Sequence, residues 1–470
     1  MPVNQLEAWI ARCINLPRKT ILSRTPLRQW QHQRLMQTIS LARKYSPWYR
    51  QRLQGLEIPA EHDVFQILAA LPLMTAADLR QHGRDMLCCS QADIQRVITL
   101  HSSGTSADPK RIFLTSTDLE QTRGFFEYGM RLVAAAEARV LVMLPSCKDN
   151  DVGTLLVQAL ESGPMSARPQ WPAHDPQIVA RAAQDFQATC LVGLPQHILP
   201  LARDPELAPG LAGLVDSVLL CSDYAAPCVR RAIAAGLDCR VHLHYGSTES
   251  GLGGAVECSA GAGCHIREND LLFEVIDPQT GQQIPEGMDG ELVLTTLTRS
   301  GMPLIRYRTG DWGRLTTQRC ACGSILARLD NLHGRLDNVL HLPGGGDISL
   351  AEMDQAVLTL QDVVAYTAHL RPARNSQSPG GESLSAPGAE LALSITTTAH
   401  PRANILKRIR SVVSRIPALE RALTTKQLAL ILSRTEDYPH QSHTVKRTFG
   451  GSQETGLQGA ASSGFPHARE

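Results

Sequence analysis

The chain has 470 residues, of which 43% are hydrophobic and 19% are charged, and its formal net charge at pH 7 is +1. This length and composition predict a soluble globular protein of two or three domains with a sizeable core. The near-zero charge argues against a nucleic-acid or anionic-membrane partner, and no apolar run reaches the roughly 18 residues that a transmembrane helix needs.

The first part of the chain predicts helices. Residues 1–60 carry apolar positions at helical spacing, and residues 72–85 predict a loop and a short helix. The start lacks a basic region followed by an apolar one, so no secretory signal is evident. Twelve cysteines are scattered without an extracellular pattern, which predicts reduced thiols and a cytoplasmic location.

A loop rich in hydroxyl groups follows a short β-branched run at residues 97–100. Its backbone N–H groups and side-chain donors could wrap a phosphate. The residues concerned are Ser102, Ser103, Gly104, Thr105, Ser106 and, further on, Lys110. The spacing of a Walker loop is absent, and an ordinary strand–helix turn is the alternative. A helix then opens, with Ser116 or Thr117 as its expected N-cap.

Residues 139–250 alternate short apolar runs with helical stretches, which predicts parallel strands joined by crossover helices. One run, residues 240–244, alternates like a strand and leads into the sequence Tyr-Gly-Ser-Thr-Glu at 245–249. A carboxylate at Glu249 would suit Mg²⁺, which takes hard oxygen ligands. The alternative is a strand-end turn with a buried tyrosine.

A second alternating strand, residues 290–298, precedes a turn rich in Arg, Thr and Gly that ends in Asp311. An acid at a strand end can accept hydrogen bonds from both hydroxyls of a ribose, as in dinucleotide sites. Residues 272–333 otherwise predict strands and turns. Asp311 is therefore the predicted ribose ligand.

Cysteine and histidine residues from two segments could hold a metal. They are Cys258, His265, Cys320 and Cys322. A set of four thiolate and imidazole ligands is typical of a structural Zn²⁺ with tetrahedral coordination. Cys264 is a spare candidate ligand, and unliganded thiols near a surface turn are the alternative.

The segment Gly-Arg-Leu-Asp at 334–337 predicts a boundary between a large N-terminal region, residues 1–336, and a smaller unit, residues 337–450. A Gly-, Ser- and Pro-rich stretch at 375–388 predicts a flexible loop within the smaller unit. The tail, residues 451–470, predicts disorder.

These motifs, in this order, resemble those of the adenylate-forming superfamily of acyl-CoA synthetases. Their residues are most similar to those of the phenylacetate–CoA ligase branch. The segments that carry the resemblance are residues 45–50, the Ser/Gly/Thr loop, 245–249, Cys258 with His265, 292–311 and 334–337. The resemblance implies an α/β fold, with a large N-terminal region of parallel and mixed sheets and crossover helices. It also implies a small, mobile α+β C-terminal domain.

The resemblance assigns roles around the nucleotide. In the superfamily the Ser/Gly/Thr loop closes over the β- and γ-phosphates of ATP. Tyr245 would stack on adenine, Thr248 would contact the α-phosphate, and Glu249 would bind Mg²⁺. The remaining implied nucleotide-binding residues are Gly246, Ser247, Ser222 and Asp223.

The resemblance also assigns roles near the domain boundary and the chain end. Arg335 would contact ribose, and Asp337 would be the hinge about which the small domain rotates. Lys446 would bridge the substrate carboxylate and the α-phosphate, where a cation neutralises charge in the transition state. Val445 stands where the family has Gly. Some members of the branch carry a structural zinc on residues similar to the quartet above.

The implied function is an AMP-forming ligase that makes an acyl-adenylate from a small carboxylic acid and ATP and transfers the acyl group to coenzyme A. The polar stretch 145–151 replaces aromatic residues of the branch, which argues against plain phenylacetate and favours a polar acid or a different pocket layout. An adenylating enzyme with an amine or cofactor acceptor, and a non-catalytic nucleotide-binding relative, are the alternatives. The oligomeric state is open, with a homodimer as one option.

Overall fold

The computed structural model describes residues 4–18, 20–59, 61–100, 109–344, 346–373, 388–399 and 401–435. The N-terminal segment is helical, as predicted. Its helices are α1 (Gln5–Cys13), α2 (Arg24–Tyr45), α3 (Pro47–Arg52), α4 (Val64–Ala69) and α5 (Ala76–His82). Hydrogen bonds attach α2 to the rest of the molecule, because Trp30 donates to the Asn269 carbonyl at 2.9 Å and Thr38 donates to the Leu297 carbonyl at 3.0 Å.

A two-stranded antiparallel sheet flanks the predicted phosphate loop. A 3-10 turn (Gln91–Asp93) leads into strands β1 (Ile94–Leu100) and β2 (Lys110–Thr115). The loop between them, which contains residues 102–106, lies outside the described residues.

The helix that follows, α6 (Ser116–Met130), is capped by Thr115, so the expectation of Ser116 or Thr117 was wrong. The Thr115 hydroxyl accepts a hydrogen bond from the Asp118 N–H, and the Asp118 carboxylate accepts one from the Thr115 N–H at 2.8 Å. The helix starts here because Thr115 and Asp118 complete the reciprocal pair of a capping box.

An 11-stranded sheet forms the centre of the molecule. Five strands are parallel, as predicted for residues 139–250. They are β3 (Arg139–Met143), β4 (Ser166–Pro169), β5 (Cys190–Gly193), β6 (Ser217–Leu220) and β7 (Arg240–Tyr245), in the spatial order β4-β3-β5-β6-β7. The crossover segments contain α7 (Val152–Glu161), α8 (Pro176–Phe186), α9 (Pro195–Arg203), α10 (Ala208–Leu211) and α11 (Pro227–Leu237).

The other six strands of this sheet pair antiparallel. They are β8 (Ala255–Glu257), β9 (Cys264–Ile266), β10 (Leu271–Ile276), β11 (Asp289–Thr296), β12 (Tyr307–Thr316) and β13 (Arg328–Arg335). Strand β7 joins the two halves, since it pairs parallel with β6 and antiparallel with β8. Asp311 lies inside β12 and not at a strand end as expected, because the strand continues through a bulge beside Gly310, whose φ is +73°.

The C-terminal part forms a smaller α+β unit. Its elements are β14 (Val339–His341), β15 (Asp347–Ser349), α12 (Leu350–Val357), β16 (Val363–Pro372), β17 (Ala389–Thr397), α13 (Ile405–Val413), α14 (Pro417–Thr424) and β18 (Leu428–Thr435). In its three-stranded sheet, β17 pairs antiparallel with β16 and parallel with β18.

The smaller unit packs against α9. Arg203 of α9 donates hydrogen bonds to the carbonyls of Leu358 at 2.5 Å, Leu360 at 3.1 Å, and Val363. A continuous hydrophobic cluster runs from helices α8–α11 into the three-stranded sheet. The predicted fold class is confirmed, whereas the 336/337 domain limit and the mobility of the smaller unit stay predictions. Among the helices of the described ranges, none combines the length and apolar character needed to cross a membrane.

Candidate active site

The end of β7 and the turn after it bring together several predicted nucleotide-binding residues. Tyr245 is the last residue of β7, and a tight turn follows. The turn is closed by Ser250, whose hydroxyl accepts from the Ser247 N–H at 2.9 Å, while the Ser250 N–H donates to Ser247 Oγ at 3.1 Å. Gly246 is required here, because a Cβ would lie 2.6 Å from the Leu252 carbonyl oxygen.

Glu249, the predicted Mg²⁺ ligand, is buried in this turn behind the half-buried Thr248. Lys110 of β2 forms an ion pair with its Oε1, and the Tyr307 hydroxyl donates to the same oxygen at 2.8 Å. Burial acts to raise the pKa of Glu249, but the Lys110 charge and the hydrogen bonds from Lys110 and Tyr307 hold the pKa at about 2. The carboxylate is therefore ionised at neutral pH.

Asp311, the predicted ribose ligand, lies next to Tyr245. Its Oδ2 accepts from the Tyr245 hydroxyl at 2.8 Å, and its Oδ1 lies 3.6 Å from Nη1 of Arg335. The Tyr245 ring is edge-on to Phe273, with centroids 5.8 Å apart. Strands β7, β12 and β13 thus contribute one group each to a single polar site, while adenine stacking by Tyr245 stays a prediction.

Arg335 connects this site to the predicted hinge. Its guanidinium donates to the two carboxylate oxygens of Asp337 at 2.8 and 3.0 Å, and to the Thr309 carbonyl at 3.1 Å. Burial acts to lower the pKa of Arg335, but its hydrogen bonds to Asp337 and the charges of Asp311 and Asp337 raise it overall. Arg335 is therefore a permanent cation that lies between the ribose ligand and the boundary residue.

An apolar cavity opens on the other side of β7. Its wall includes Phe125, Phe126, Met130, Leu144, Leu156 and Val192, together with His244 and Ser222. Successive side chains of a strand point to opposite faces. His244 can therefore reach the cavity while its neighbour Tyr245 reaches Asp311.

The stretch 145–151 does not form the wall of this cavity, although its neighbours Leu144 and Val152 do. Lys148 and Asp149 are exposed. The polar side chains of this stretch therefore do not line the cavity, and the choice between a polar acid and a different pocket layout stays a prediction.

The segment predicted to line the adenine side follows β6. Ser222 has a φ of +68°, an uncommon conformation for a residue with a side chain. Asp223 Oδ1 accepts from the Tyr224 N–H at 2.8 Å. Ser222 thereby faces the cavity, whereas the described contact of Asp223 is local.

The four predicted metal ligands come together beside strand β9 of the large sheet. The ligand atoms of Cys258, His265, Cys320 and Cys322 all lie within 4.8 Å of one another. Cys258 Sγ is 3.8 Å from Cys320 Sγ, and Cys322 Sγ is 3.4 Å from His265 Nε2. The spare candidate Cys264 is not part of this group, because its thiol faces the Leu243 carbonyl at 3.5 Å.

The remaining predicted residues cannot be placed. Ser102, Ser103, Gly104, Thr105, Ser106 and Lys446 lie outside the described residues. Their roles therefore stay predictions.

Comparisons with known proteins show the family of this chain. A family model described as AMP-binding enzyme matches residues 82–298. A phenylacetate–coenzyme A ligase of Thermus thermophilus is 30% identical over 360 residues, which are 74% of this chain and 79% of the relative. This chain belongs to that family of adenylate-forming enzymes. A phenylacetate–coenzyme A ligase of Escherichia coli is 26% identical over 336 residues, 68% of this chain and 73% of the relative.

The chain is therefore an ATP-dependent, AMP-forming acid–CoA ligase. It shares its fold with solved structures to which its sequence identity is low. A 2-hydroxyisobutyryl-CoA ligase in the postadenylation state, in complex with R3-HIB-AMP, matches with a TM-score of 0.67 at 17% identity, over 90% of this chain and 89% of that one. The same ligase in the thioesterification state, with 2-HIB-AMP and CoA, matches with a TM-score of 0.61 at 19% identity, over 92% and 91%.

Sequence reasoning missed several residues of this ligase's site. Tyr307 donates to Glu249, and its position inside the informative run 302–311 was the available signal. Phe125 and Phe126 have no such signal, because a pair of phenylalanines on an amphipathic helix looks like ordinary core. His244 was visible only as one polar position of an alternating strand.

Proposed function

We propose that this acid–CoA ligase acts on an apolar carboxylic acid of about the size of an aryl acetate. The observation that carries the proposal is the geometry of β7, which places the apolar cavity beside His244 and the polar site beside Tyr245. A mostly apolar wall favours an apolar ligand, because unpaired polar groups are costly to bury. The relatives named phenylacetate–coenzyme A ligase support the same class of acid.

In the first half-reaction, an oxygen of the substrate carboxylate attacks the α-phosphorus of ATP, and pyrophosphate leaves. We assign the ribose hydroxyls to Asp311 and Arg335, the α-phosphate to Thr248, and a phosphate to Lys110. Mg²⁺, when bound to Glu249, would neutralise charge on the phosphates. Lys110 and Glu249 suit these roles because they are paired in this structure and each offers one charge of the required sign.

In the second half-reaction, the thiol of coenzyme A attacks the acyl carbon of the adenylate, its proton is released, and AMP leaves. We propose that Lys446 takes part only in the first half-reaction. We also propose that rotation of the smaller unit about Asp337 converts the enzyme from the state that carries out the first half-reaction to the state that carries out the second. The ion pair between Arg335 and Asp337 supports this hinge, because it ties the boundary residue to the ribose site.

We also propose a structural Zn²⁺ on Cys258, His265, Cys320 and Cys322. In a tetrahedral site the Zn–S bonds are about 2.3 Å long and the Zn–N bonds about 2.0–2.1 Å. Two sulfur ligands are then about 3.8 Å from each other, and a sulfur ligand is about 3.6 Å from a nitrogen ligand. The distances in this structure, 3.8 and 3.4 Å, fit these edges. Burial and the Arg328 charge lower the pKa of His265 to about 4, so its imidazole is neutral and able to bind metal.

A cytoplasmic location and a homodimer also stay proposals. All twelve cysteines are free thiols, which suits a reducing compartment.

The substrate proposal is tested with purified enzyme, Mg·ATP and a set of acids: phenylacetate, benzoate and 2-hydroxyisobutyrate. Pyrophosphate release reports adenylation, and thioester formation reports transfer to coenzyme A. We expect phenylacetate to have a kcat/KM at least tenfold above that of the small polar acid, since each buried methylene is worth about 0.8 kcal/mol. Equal or better use of 2-hydroxyisobutyrate would overturn the apolar assignment.

A further inference from the structure

His244 places an imidazole in the wall of the apolar cavity. Its ring centroid lies 6.1 Å from that of Phe125 and 6.4 Å from that of Phe126. The Nε2 atom is buried and has no hydrogen-bond partner within the described part of the chain. Buried polar atoms in native proteins are usually paired, so this nitrogen calls for an explanation.

The position of the ring is fixed by its surroundings. A Cβ on Gly246 would lie 2.5 Å from Cε1 of His244, so the ring packs directly over the turn that contains Glu249. Burial, together with the Arg267 charge, lowers the pKa of His244 to about 4. The imidazole is therefore neutral at pH 7 and offers one donor and one acceptor nitrogen.

Another polar group of the wall has its own partner. The Cys221 thiol donates to the Gly193 carbonyl at 3.5 Å. The substrate carboxylate has to meet the α-phosphate beside Thr248. His244 lies within β7 and lines the apolar cavity, which would hold the body of the acid, so a group on that body is the one that meets the imidazole.

We propose that His244 is a specificity-determining residue whose Nε2 forms a hydrogen bond with a hydroxyl group on the body of an otherwise apolar acid. The inference rests on the proposed function, since it requires the cavity to be the acid site. A site built to hydrogen-bond a substrate hydroxyl discriminates against the analogue that lacks it, because its own polar group is then left unpaired. The preferred substrate class is thus a hydroxyaryl acid.

The test compares kcat/KM for phenylacetate with that for 2-, 3- and 4-hydroxyphenylacetate. We expect one hydroxy isomer to be preferred by wild type by about tenfold or more. His244→Leu should remove this preference, and His244→Gln, which keeps a hydrogen-bonding group, should restore part of it. Met130→Leu is the matched control, because it alters the same wall without changing a polar atom or a ring that packs on His244, and it should leave the ratio unchanged.

The readout is the ratio of two acids within one variant, so loss of overall activity does not obscure it. ATP binding and thermal unfolding check that each variant is folded, and His244→Phe, which also lacks a hydrogen-bonding nitrogen, replaces His244→Leu if the latter is not. An unchanged ratio in the folded His244 variant, or no preference in wild type, overturns the inference and leaves the proposed function intact if phenylacetate still yields thioester. Failure of wild type to convert any of these acids overturns both.

Discussion

Asp311 is the proposed ribose ligand and lies in the middle of β12, so its substitution tests nucleotide binding separately from folding. We expect Asp311→Ala to weaken ATP binding by about 2–3 kcal/mol, the cost of losing charge-assisted hydrogen bonds at a buried site. Calorimetric titration with ATP measures this change. Tyr245→Phe is the control, since it removes the hydroxyl that donates to Asp311 but keeps the carboxylate. Wild-type ATP affinity in a folded Asp311→Ala protein would refute the ribose assignment.

Glu249 makes stability depend on pH in the acid range. Its pKa in the folded protein, about 2, lies below its ordinary value of 4.5, so the ionised form is the one that folding favours. Its contribution is therefore complete above about pH 4.5 and is lost as the pH falls towards 2. We expect wild type to lose more unfolding free energy than Glu249→Gln between pH 6 and pH 3, as measured by urea denaturation. Parallel losses in the two proteins would contradict this.

At the scale of one element, α6 provides a test of where a helix begins. We expect Thr115→Ala to cost about 1–2 kcal/mol of stability, because it removes half of a buried capping box. Ser116→Ala, one residue later, should change stability by less than about 0.5 kcal/mol. Urea denaturation of both variants measures the difference. A larger loss for Ser116→Ala would place the cap where the sequence first suggested it.

The region around β9 provides a second test, because the Cys/His quartet joins β9 to the segment before β13. We expect one zinc per chain by elemental analysis of purified protein. The double variant Cys320→Ser/Cys322→Ser should lose the metal and unfold at lower temperature, since a closed four-ligand site stabilises the fold. Cys264→Ser should keep the zinc. Zinc retained in the double variant, or absent from wild type, would contradict the assignment.

At the scale of the whole molecule, the two half-reactions should respond differently to changes at the hinge and at the catalytic lysine. Lys446→Ala should slow acyl-adenylate formation by roughly 10²-fold, as for loss of another transition-state donor, and should still convert synthetic acyl-adenylate and coenzyme A to thioester. Asp337→Pro should show the opposite bias, because proline fixes φ at the hinge. Rapid-quench assays of each half-reaction measure both effects. Equal losses in the two half-reactions of Lys446→Ala would indicate a docking defect instead.

The hinge experiment also depends on how the smaller unit is held. Arg203 donates to three carbonyls of that unit, and apolar side chains of α8–α11 continue into its sheet. Rotation would have to break these contacts. Arg203→Ala should therefore be compared with Asp337→Pro in the same assays, since loosened docking and a restricted hinge bias the two half-reactions in different directions.

The sequence by itself determined the local elements and the class of enzyme. Alternating and apolar runs predicted β7 and the parallel strands, because the periodicity of a strand depends only on residues that are close in sequence. The motif at 245–249 and the run 302–311 predicted the family, because their residue types are those that ATP and its ribose require. The Cys/His quartet that the structure brings together was also predicted, from residue type and from the resemblance to the branch.

Only the tertiary structure decided which of these residues meet. The pairs Tyr245–Asp311 and Glu249–Tyr307 join residues 66 and 58 positions apart, and no local pattern encodes such contacts. Asp311 lies inside a strand because a bulge at Gly310 extends β12, which depends on pairing with β11 and β13. The apolar cavity beside His244 exists because α6 packs over the ends of the central strands. Which acid this ligase uses is therefore a property of packing between distant segments, whereas its chemistry is visible in short motifs.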